Sequence, residues 1–555
     1  MPPLDTDKII MQALPPQITD CVPDDSPGAR EIGFSVPDRY NASAILFDNL
    51  AAGRGERVAV TGPGGTRTYR ELCADAARLG NALLSLGCRR GDRVLLFLDD
   101  TPAYPAAFFG AIRAGLVPLL INTLTPPDLL QFFLADSGAR VAIADADFAD
   151  RFNSVACTGT DLETVIVVGQ PFPGAAVRTL SLDHFASNVS VALDLADTHR
   201  DEMAFWMYSS GSTGRPKGIV HLQHDMVYTA QSYAQHVLAA REDDRCFSVP
   251  KIFFAYGLGN SLTFPFYAGA SSVLLSGQPK PDRIFQCIAQ YRPTVFFGLP
   301  TLYTALTKAQ AAAAADLSSL RLCVSAAEVL SLDVFESWKA ISGLEIVEGL
   351  GSTEALHIYL SNSAEAKKTN AAGRRVSGYE LALRNAEGKE VGDGQEGILW
   401  VRGHSSAPCY WNRPDKTSET MRENGWIYTG DRFIRDADGF YFFQGRADDL
   451  VKVSGQWVYP LEVELCLAKH PSVRECAVLA VRLPDRRTTL KAYVVLEDRD
   501  QDKNAATRIL QEHVKTSLLP YKYPRIVEFL HELPKTGTGK IDRQALAKLK
   551  TALPA

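Results

Sequence analysis

Eleven residues, Tyr208–Ser209–Ser210–Gly211–Ser212–Thr213–Gly214–Arg215–Pro216–Lys217–Gly218, gather three glycines, four serine or threonine hydroxyls and two cations. They directly follow the apolar run Ala204–Phe205–Trp206–Met207. That run reads as a short buried strand, which the glycines and Pro216 interrupt. Glycine lets the backbone approach a ligand closely and adopt positive φ, so successive N–H groups converge on an anion. The hydroxyls add donors and Lys217 adds a charge, a set suited to polyphosphate. A glycine–lysine–serine/threonine ending defines the common P-loop, and Pro216 before Lys217 sets this loop apart from it. A flexible surface loop is the plain alternative on composition alone.

Four more polar clusters follow in order: Gly351–Ser352–Thr353–Glu354, Tyr428–Thr429–Gly430–Asp431, Gly445–Arg446–Ala447–Asp448–Asp449 and Pro534–Lys535–Thr536–Gly537–Thr538–Gly539–Lys540. With the glycine-rich loop they resemble the motifs of the adenylate-forming enzymes: acyl-CoA synthetases, peptide-synthetase adenylation domains and luciferases. The resemblance runs over about residues 205 to 543, and 41–147 resembles that family's N-terminal lobe, especially Thr68–Tyr69–Arg70–Glu71–Leu72.

The chemistry implied is activation of a carboxylate, whose own leaving group would be oxide, as an acyl-adenylate with AMP as leaving group. Carboxylate oxygen attacks the α-phosphate in line, and the anionic repulsion must be screened. By the resemblance, Ser209, Ser210, Gly211, Ser212, Thr213, Gly214 and Lys217 hold the phosphates of ATP. Ser325–Ala326–Ala327–Glu328 and Glu348–Gly349–Leu350–Gly351–Ser352 line the nucleotide. Thr353 donates to the α-phosphate and Glu354 holds Mg²⁺, which commonly needs only one or two carboxylates beside substrate phosphates. In isolation Glu354 reads as a helix-capping residue. Asp431 accepts from the ribose hydroxyls, and Arg446 adds a charged contact; a turn aspartate and a solvated arginine are the plain readings.

Lys540 is implied to bridge substrate carboxylate and α-phosphate, although a lysine in a C-terminal tail is ordinarily solvated. Asp448 matches the hinge about which the family's lid turns after adenylation. The turn brings Lys452–Val453–Ser454–Gly455–Gln456–Trp457 to the site, with Gly455 and Trp457 beside the pantetheine arm of coenzyme A. Lys452 counts among the catalytic candidates. Acetylation of Lys540 would remove its charge, which makes a lysine acetyltransferase a candidate partner.

Lys251–Ile252–Phe253–Phe254–Ala255–Tyr256–Gly257–Leu258–Gly259–Asn260, Gly298–Leu299–Pro300 and Ala355–Leu356–His357 resemble the acyl pocket of the benzoate–CoA ligase branch, hydroxybenzoate ligases included. Ala255, Tyr256, Gly298, Leu299 and Ala326 would take a benzene ring on its faces, with His357 near the carboxylate. Ordinary core packing is the plain reading of the same residues. Two departures stand out. Leu350 replaces the tyrosine that commonly stacks on adenine, and Ala327 stands where relatives often carry glycine. A medium-chain acyl-CoA ligase is the nearest alternative. A module adenylating amino acids for a carrier protein usually has an aspartate near Phe253–Phe254, and none lies between Lys251 and Asn260. A non-catalytic nucleotide-binding protein would not need Lys217, Glu354, Asp431, Arg446 and Lys540 together.

Positioning such groups takes a scaffold. At 555 residues the chain exceeds one core. Apolar runs such as Val94–Leu98, Val141–Ala144 and Thr164–Val168 alternate with amphipathic stretches, which predicts an α/β fold of largely parallel sheets. After Gly397 strands and turns shorten, and Asp438–Gly439 reads as a hairpin turn. The alanine run within 310–316 reads as helix surface. The expected organisation is a lead-in over 1–35, an adenylation domain of mixed and parallel sheets sandwiched by helices over 36–447, and a small mobile α+β lid over 448–555.

The net charge of -6 and the lack of a long basic run give no reason to expect nucleic acid. Arg113 and Pro118 break the apolar region 106–121, so no membrane span is expected, and no secretory signal is visible. Ten scattered cysteines form no metal-ligand spacing, as expected for reduced thiols in a cytoplasm. Expected partners are a small aromatic acid, ATP with Mg²⁺, and coenzyme A, bound by a monomer or homodimer.

Overall fold

A computed structural model describes residues 26–170, 176–186, 189–209, 216–309, 315–327, 330–447, 451–453, 456–458, 460–483, 488–498, 500–535 and 541–549. The chain divides into two compact units. The first comprises Met1–Ala382, Trp400–Tyr428 and Asp438–Tyr441; the second comprises Leu383–Leu399, Thr429–Ala437 and Phe442–Ala555.

In the first unit the predicted apolar runs are strands of a seven-stranded sheet. Its spatial order is Arg178–Ser181, Thr164–Val168, Val141–Asp145, Arg93–Phe97, Val117–Leu120, Met203–Ser209 and Lys217–Leu222. All neighbours are parallel except the last two, which pair antiparallel around the glycine-rich loop. These strands are apolar on both faces because the sheet is covered on both, as parallel sheets are.

A nine-stranded sheet runs Arg374–Arg375, Ile358–Ser361, Ile346–Gly351, Leu322–Ala326, Val295–Gly298, Arg245–Ser248, Ser271–Val273, Val58–Gly62, Gly65–Thr68. Its central strands are parallel, and the turn between Gly351 and Ile358 reverses direction. That turn carries Thr353, Glu354 and His357.

The Thr68–Leu72 motif starts the helix Tyr69–Ser85 with a capping box: Glu71 N–H donates to Thr68 Oγ1 at 3.2 Å, and Thr68 N–H donates to Glu71 Oε2 at 2.8 Å. The apolar stretch near 106–121 is the buried helix Ala103–Arg113 followed by a buried strand. Among the described residues no helix is long and apolar enough to cross a membrane.

Two local expectations change. Residues 26–35, expected within a loose lead-in, include the helix Pro27–Ile32, capped by Ser26, and Glu31 pairs with Arg375 at 2.6 Å. Phe34 behind it packs edge-on against Tyr228, so an aromatic anchor orders a stretch whose proline and aspartate content suggested none. The helix Pro300–Lys308 stops short of the alanine run, of which 310–314 lie outside the described residues and 315–316 are irregular.

The second unit holds the antiparallel pair Val473–Arg482 and Thr488–Leu496, extended in parallel by Ile526–Phe529. Its core gathers Val463, Leu467, Val478, Val494, Leu510 and Val514 from this sheet and the helices Pro460–Ala468 and Lys503–Ser517. A hairpin pairs Val451–Val453 with Gln456–Val458. A further sheet orders Glu380–Arg384, Glu396–Arg402, Trp426–Arg435 and Tyr441–Arg446, and the division between the units passes through these four strands. The last two flank the turn predicted at Asp438–Gly439. The boundary expected between residues 447 and 448 falls inside the second unit.

Candidate active site

The antiparallel pair Ser209↔Lys217 closes the base of the glycine-rich loop, whose residues 210–215 lie outside the described set. Lys217 therefore leaves the strand end beside the loop. Gly218 allows this: a Cβ there would stand 3.2 Å from the Trp206 ring and 3.3 Å from Trp411 Cβ. The Lys217 ammonium lies 4.1 Å over the Tyr410 ring. Burial lowers its pKa, and the charge of Glu354 opposes that fall. The Tyr410 hydroxyl donates to Glu354 Oε1 at 2.8 Å.

Glu354 caps no helix, since a turn and the strand Ile358–Ser361 follow it. Its backbone carbonyl accepts from Ala407 N–H at 2.7 Å. Among the described residues no three His, Cys, Asp or Glu side chains form a ready-made metal site. A single half-buried carboxylate whose Oε2 has no partner among the described residues suits a magnesium ion that takes its remaining oxygens from nucleotide phosphates and water.

Behind Thr353 stands a buried histidine pair that sequence reasoning did not single out. The Thr353 carbonyl lies 2.8 Å from His221 Nε2, which must donate, because a carbonyl only accepts. His221 Nδ1 lies 2.8 Å from Asp225 Oδ2. His224 directs Nδ1 to Arg200 O and Nε2 to His404 O, each at 2.9 Å, so both nitrogens carry protons. Burial opposes that charge, but Asp201, Asp225 and the Arg200 carbonyl outweigh it and raise the imidazole's pKa to about 9. The i, i+4 spacing of His221 and Asp225 was the available signal.

The nucleotide-lining candidates fall at strand ends. Ser325 and Ala326 end one strand, and Ala327 follows with φ 74°, a left-handed conformation that explains why glycine suits this position. Glu348, Gly349, Leu350 and Gly351 end the neighbouring strand, with Ser352 just beyond. The Glu348 carboxyl accepts from Leu330 N–H at 3.1 Å, and burial pushes its pKa up to about 7. Glu328 lies outside the described residues.

The acyl-pocket candidates assemble around His357. Its ring lies 4.5 Å from that of Phe264, 5.1 Å from Tyr233 and 5.6 Å from Tyr256. Gly259 permits this seating, because a Cβ there would come within 2.4 Å of His357 Cδ2. Burial drives the His357 pKa down to about 3, opposed only in part by the Tyr256 backbone, so the ring is neutral.

Neither His357 nitrogen has a hydrogen bond of ordinary geometry among the described residues, nor have the Tyr233 and Tyr256 hydroxyls or the Asn260 amide. Two π-helical turns, Ala230–Gln235 and Gly259–Thr263, carry Tyr233 and Asn260. Such turns are frequent at functional sites. Ala255 opens a short helix from the same segment, while Gly298 ends a strand and Leu299 precedes the helix Pro300–Lys308. At the segment's start Lys251 Nζ binds Asp99 Oδ1 at 2.5 Å, and Ile252 N–H donates to Asp100 Oδ1 at 3.2 Å.

In the second unit Asp431 lies within a ten-residue strand and not in a turn. Arg446 Nη1 reaches Asp431 Oδ1 at 3.1 Å and the Thr429 carbonyl at 3.2 Å, so the two predicted ribose-side residues are neighbours. Backbone pairing joins Lys452 to Trp457. Asp448, Gly455 and Lys540 lie outside the described residues. Both flanks of the Lys540 loop are held: Lys535 pairs with Ile541, Asp542 N–H donates to Pro534 O at 2.7 Å, and Arg543 binds Glu464 at 2.7 Å.

Residues 47–411 match the family "AMP-binding enzyme", and 462–540 match its C-terminal domain. A benzoate–CoA ligase of Thauera aromatica is 41% identical over 513 residues, covering 92% of this chain and 96% of that protein. A 4-hydroxybenzoate–CoA/benzoate–CoA ligase of Rhodopseudomonas palustris is 40% identical, covering 92% and 94%. Among solved structures, an anthranilate CoA ligase in complex with anthranoyl-AMP superposes with a TM-score of 0.87 at 39% identity, covering 93% of this chain and 99% of that one. A benzoate CoA ligase from Burkholderia xenovorans gives 0.83 at 38% identity, covering 92% and 100%. With the family matching most of its length, and with Lys217, Thr353 and Glu354 on the strand ends and turn described above, the chain belongs to the AMP-binding enzymes.

Proposed function

We propose that this chain is an ATP-dependent aromatic acid–CoA ligase acting on benzoate or a substituted benzoate. The observation that carries the reading is the neutral, buried His357 set among the Phe264, Tyr233 and Tyr256 rings, three residues along the chain from Glu354. An aromatic acid whose ring enters that cluster would present its carboxylate toward the Thr353–Glu354 turn, and the neutral imidazole can donate one hydrogen bond to it. The similar benzoate, hydroxybenzoate and anthranilate ligases support the same acid class.

In the first half-reaction a carboxylate oxygen attacks the α-phosphorus, the bond to the bridging oxygen breaks, and pyrophosphate leaves. Lys217 and the loop before it hold the phosphates, Thr353 donates to the α-phosphate, Asp431 and Arg446 serve the ribose, and Lys540 bridges carboxylate and phosphate. Glu354 would hold a magnesium ion, which when bound screens phosphate charge. In the second half-reaction the coenzyme A thiol loses its proton and attacks the acyl carbon, and AMP leaves with the electron pair of the acyl–oxygen bond. Asp448 is the hinge and Lys452, Gly455 and Trp457 serve the thiol's approach. The nine described cysteines are all free, which suits a reducing cytoplasm.

The test is AMP release by the purified protein with ATP, Mg²⁺ and coenzyme A. The acids are benzoate, its hydroxy, amino, halo and methyl derivatives, hexanoate and phenylalanine. Turnover confined to benzoate-like acids is expected. Turnover with hexanoate alone would retain the two-step chemistry and overturn the aromatic pocket.

A further inference from the structure

Tyr410 lies roughly 190 residues along the chain from the glycine-rich loop, yet its side chain touches two groups of the adenylation site. Its ring faces the Lys217 ammonium at 4.1 Å, and its hydroxyl donates to Glu354 Oε1 at 2.8 Å. Its own backbone is fixed on the loop's outgoing strand. Tyr410 pairs antiparallel with Ile219, Trp411 N–H donates to Gly218 O at 2.7 Å, and Val220 N–H donates to Cys409 O at 3.2 Å. Tyr410 N–H donates to Thr417 Oγ1 at 3.0 Å. Trp411 locks the segment from behind, edge-on to Trp206 at 4.5 Å and donating Nε1–H to Asp136 O at 2.9 Å.

We propose that Tyr410 is a positioning residue that ties the phosphate-binding lysine to the metal-binding carboxylate, so that both meet ATP in fixed relation. This rests on the adenylation reading above. The physical argument concerns preorganisation. A glutamate on a turn and a lysine on a strand end each have several rotamers, and ordering them during catalysis costs free energy. One rigid side chain with two fixed torsions limits both in advance. Donation to Oε1 leaves Oε2 for the metal, and the ring face holds the ammonium by cation–π attraction without consuming any of its three N–H donors. A carboxylate placed directly on Lys217 would instead compete with phosphate for those donors.

The two contacts separate by substitution. Tyr410→Phe keeps ring and packing and removes the hydroxyl; Tyr410→Leu removes both contacts. Binding of a non-hydrolysable ATP analogue is read by titration calorimetry, once with Mg²⁺ and once with EDTA. For Tyr410→Phe the affinity with Mg²⁺ should fall about tenfold, the scale of a hydrogen bond to a charged group, while the affinity in EDTA stays within about twofold. Tyr410→Leu should weaken binding under both conditions. In steady-state adenylation Tyr410→Phe should lower kcat without raising KM for the aromatic acid, whereas a general packing defect would disturb both.

Wild-type affinity with Mg²⁺ retained in Tyr410→Phe would overturn the proposal, as would equal losses with and without the metal. If the unsubstituted protein failed to bind the analogue under either condition, the adenylation reading itself would fall.

Discussion

At the scale of single residues, the histidine pair behind Thr353 makes the sharpest claim. His224 has its pKa raised from about 6.5 in an unfolded chain to about 9. The folded state therefore favours the charged form. That contribution is fully present below pH 6.5 and lost as pH rises through about 9, and it is on the order of 3 kcal/mol at most. Glu348 and Asp100 are carboxyls whose pKa values burial raises to about 7, so they erode stability earlier, from about pH 4 up to about 7. His224→Gln removes this titrating group and leaves the two carboxyls. Its deficit in urea unfolding midpoint should be large at pH 6.5 and shrink by pH 9.5; an equal deficit at both would refute the buried imidazolium.

The spacing of His221 and Asp225 was visible beforehand, but the charge state of His224 was not. The sequence displays His221, Asp225 and His224 just after a recognisable loop, but charge state depends on Arg200 and His404 carbonyls that only tertiary packing delivers. Lys217, Thr353 and Glu354, which the proposed function uses, were readable as candidates because their motifs lie in local spacing. Tyr410 was not, because its relevance comes from a bridge to Ile219 across the chain.

At the scale of elements, strands were readable and special turns were not. Parallel strands buried on both faces are continuous apolar runs, so 94–97, 141–144 and 164–168 announce themselves. The π-helical turns bearing Tyr233 and Asn260 have no sequence signature, and neither does the left-handed Leu356, φ 66°, between Glu354 and His357. A comparable device holds the Lys540 loop. Glu464, buried on the helix Pro460–Ala468, accepts from Arg543 through both oxygens at 2.7 Å and from Val478 N–H at 2.6 Å. Arg543 begins the helix just after residues 536–540, so the pair fixes the chain beside the segment proposed to supply Lys540.

Glu464→Gln keeps the shape and removes the charge. It should cost the second unit about 1–3 kcal/mol, the scale of charge-assisted hydrogen bonds. It should also slow adenylation about tenfold, on the same scale of lost positioning energy, while thioester formation from supplied acyl-AMP changes little. Equal slowing of both half-reactions would mean that the pair serves folding alone.

At the scale of the whole molecule, the family and the two-part organisation followed from the order of five motifs, while the division of residues between the parts did not. The second unit takes in 383–399 and 429–437 as well as everything from Phe442 onward, so Asp431 and Arg446 belong to the same unit as Lys540. The shorter strands expected after Gly397 are not what forms there, since Trp426–Arg435 and Val473–Arg482 each run ten residues, and a discontinuous unit is defined by pairing between distant segments. The proposed chemistry uses this unit twice with opposed requirements. Carboxylate attack on the α-phosphate needs the Lys540 cation between two anions, whereas thiol attack on the finished acyl-adenylate needs open access to the acyl carbon. A lysine serving the first step obstructs the second, so the two steps should respond separately to substitution.

Lys540→Ala should depress adenylation by orders of magnitude, about 10²-fold or more for loss of a transition-state charge contact, and leave thioester formation from supplied acyl-AMP largely intact. Asp448→Pro, which restricts φ at the proposed hinge, should do the reverse. Single-turnover measurement of each half-reaction in both variants decides the matter. If both substitutions depressed both steps alike, one fixed arrangement would serve the whole reaction and the assignment of Asp448 as a hinge would fail.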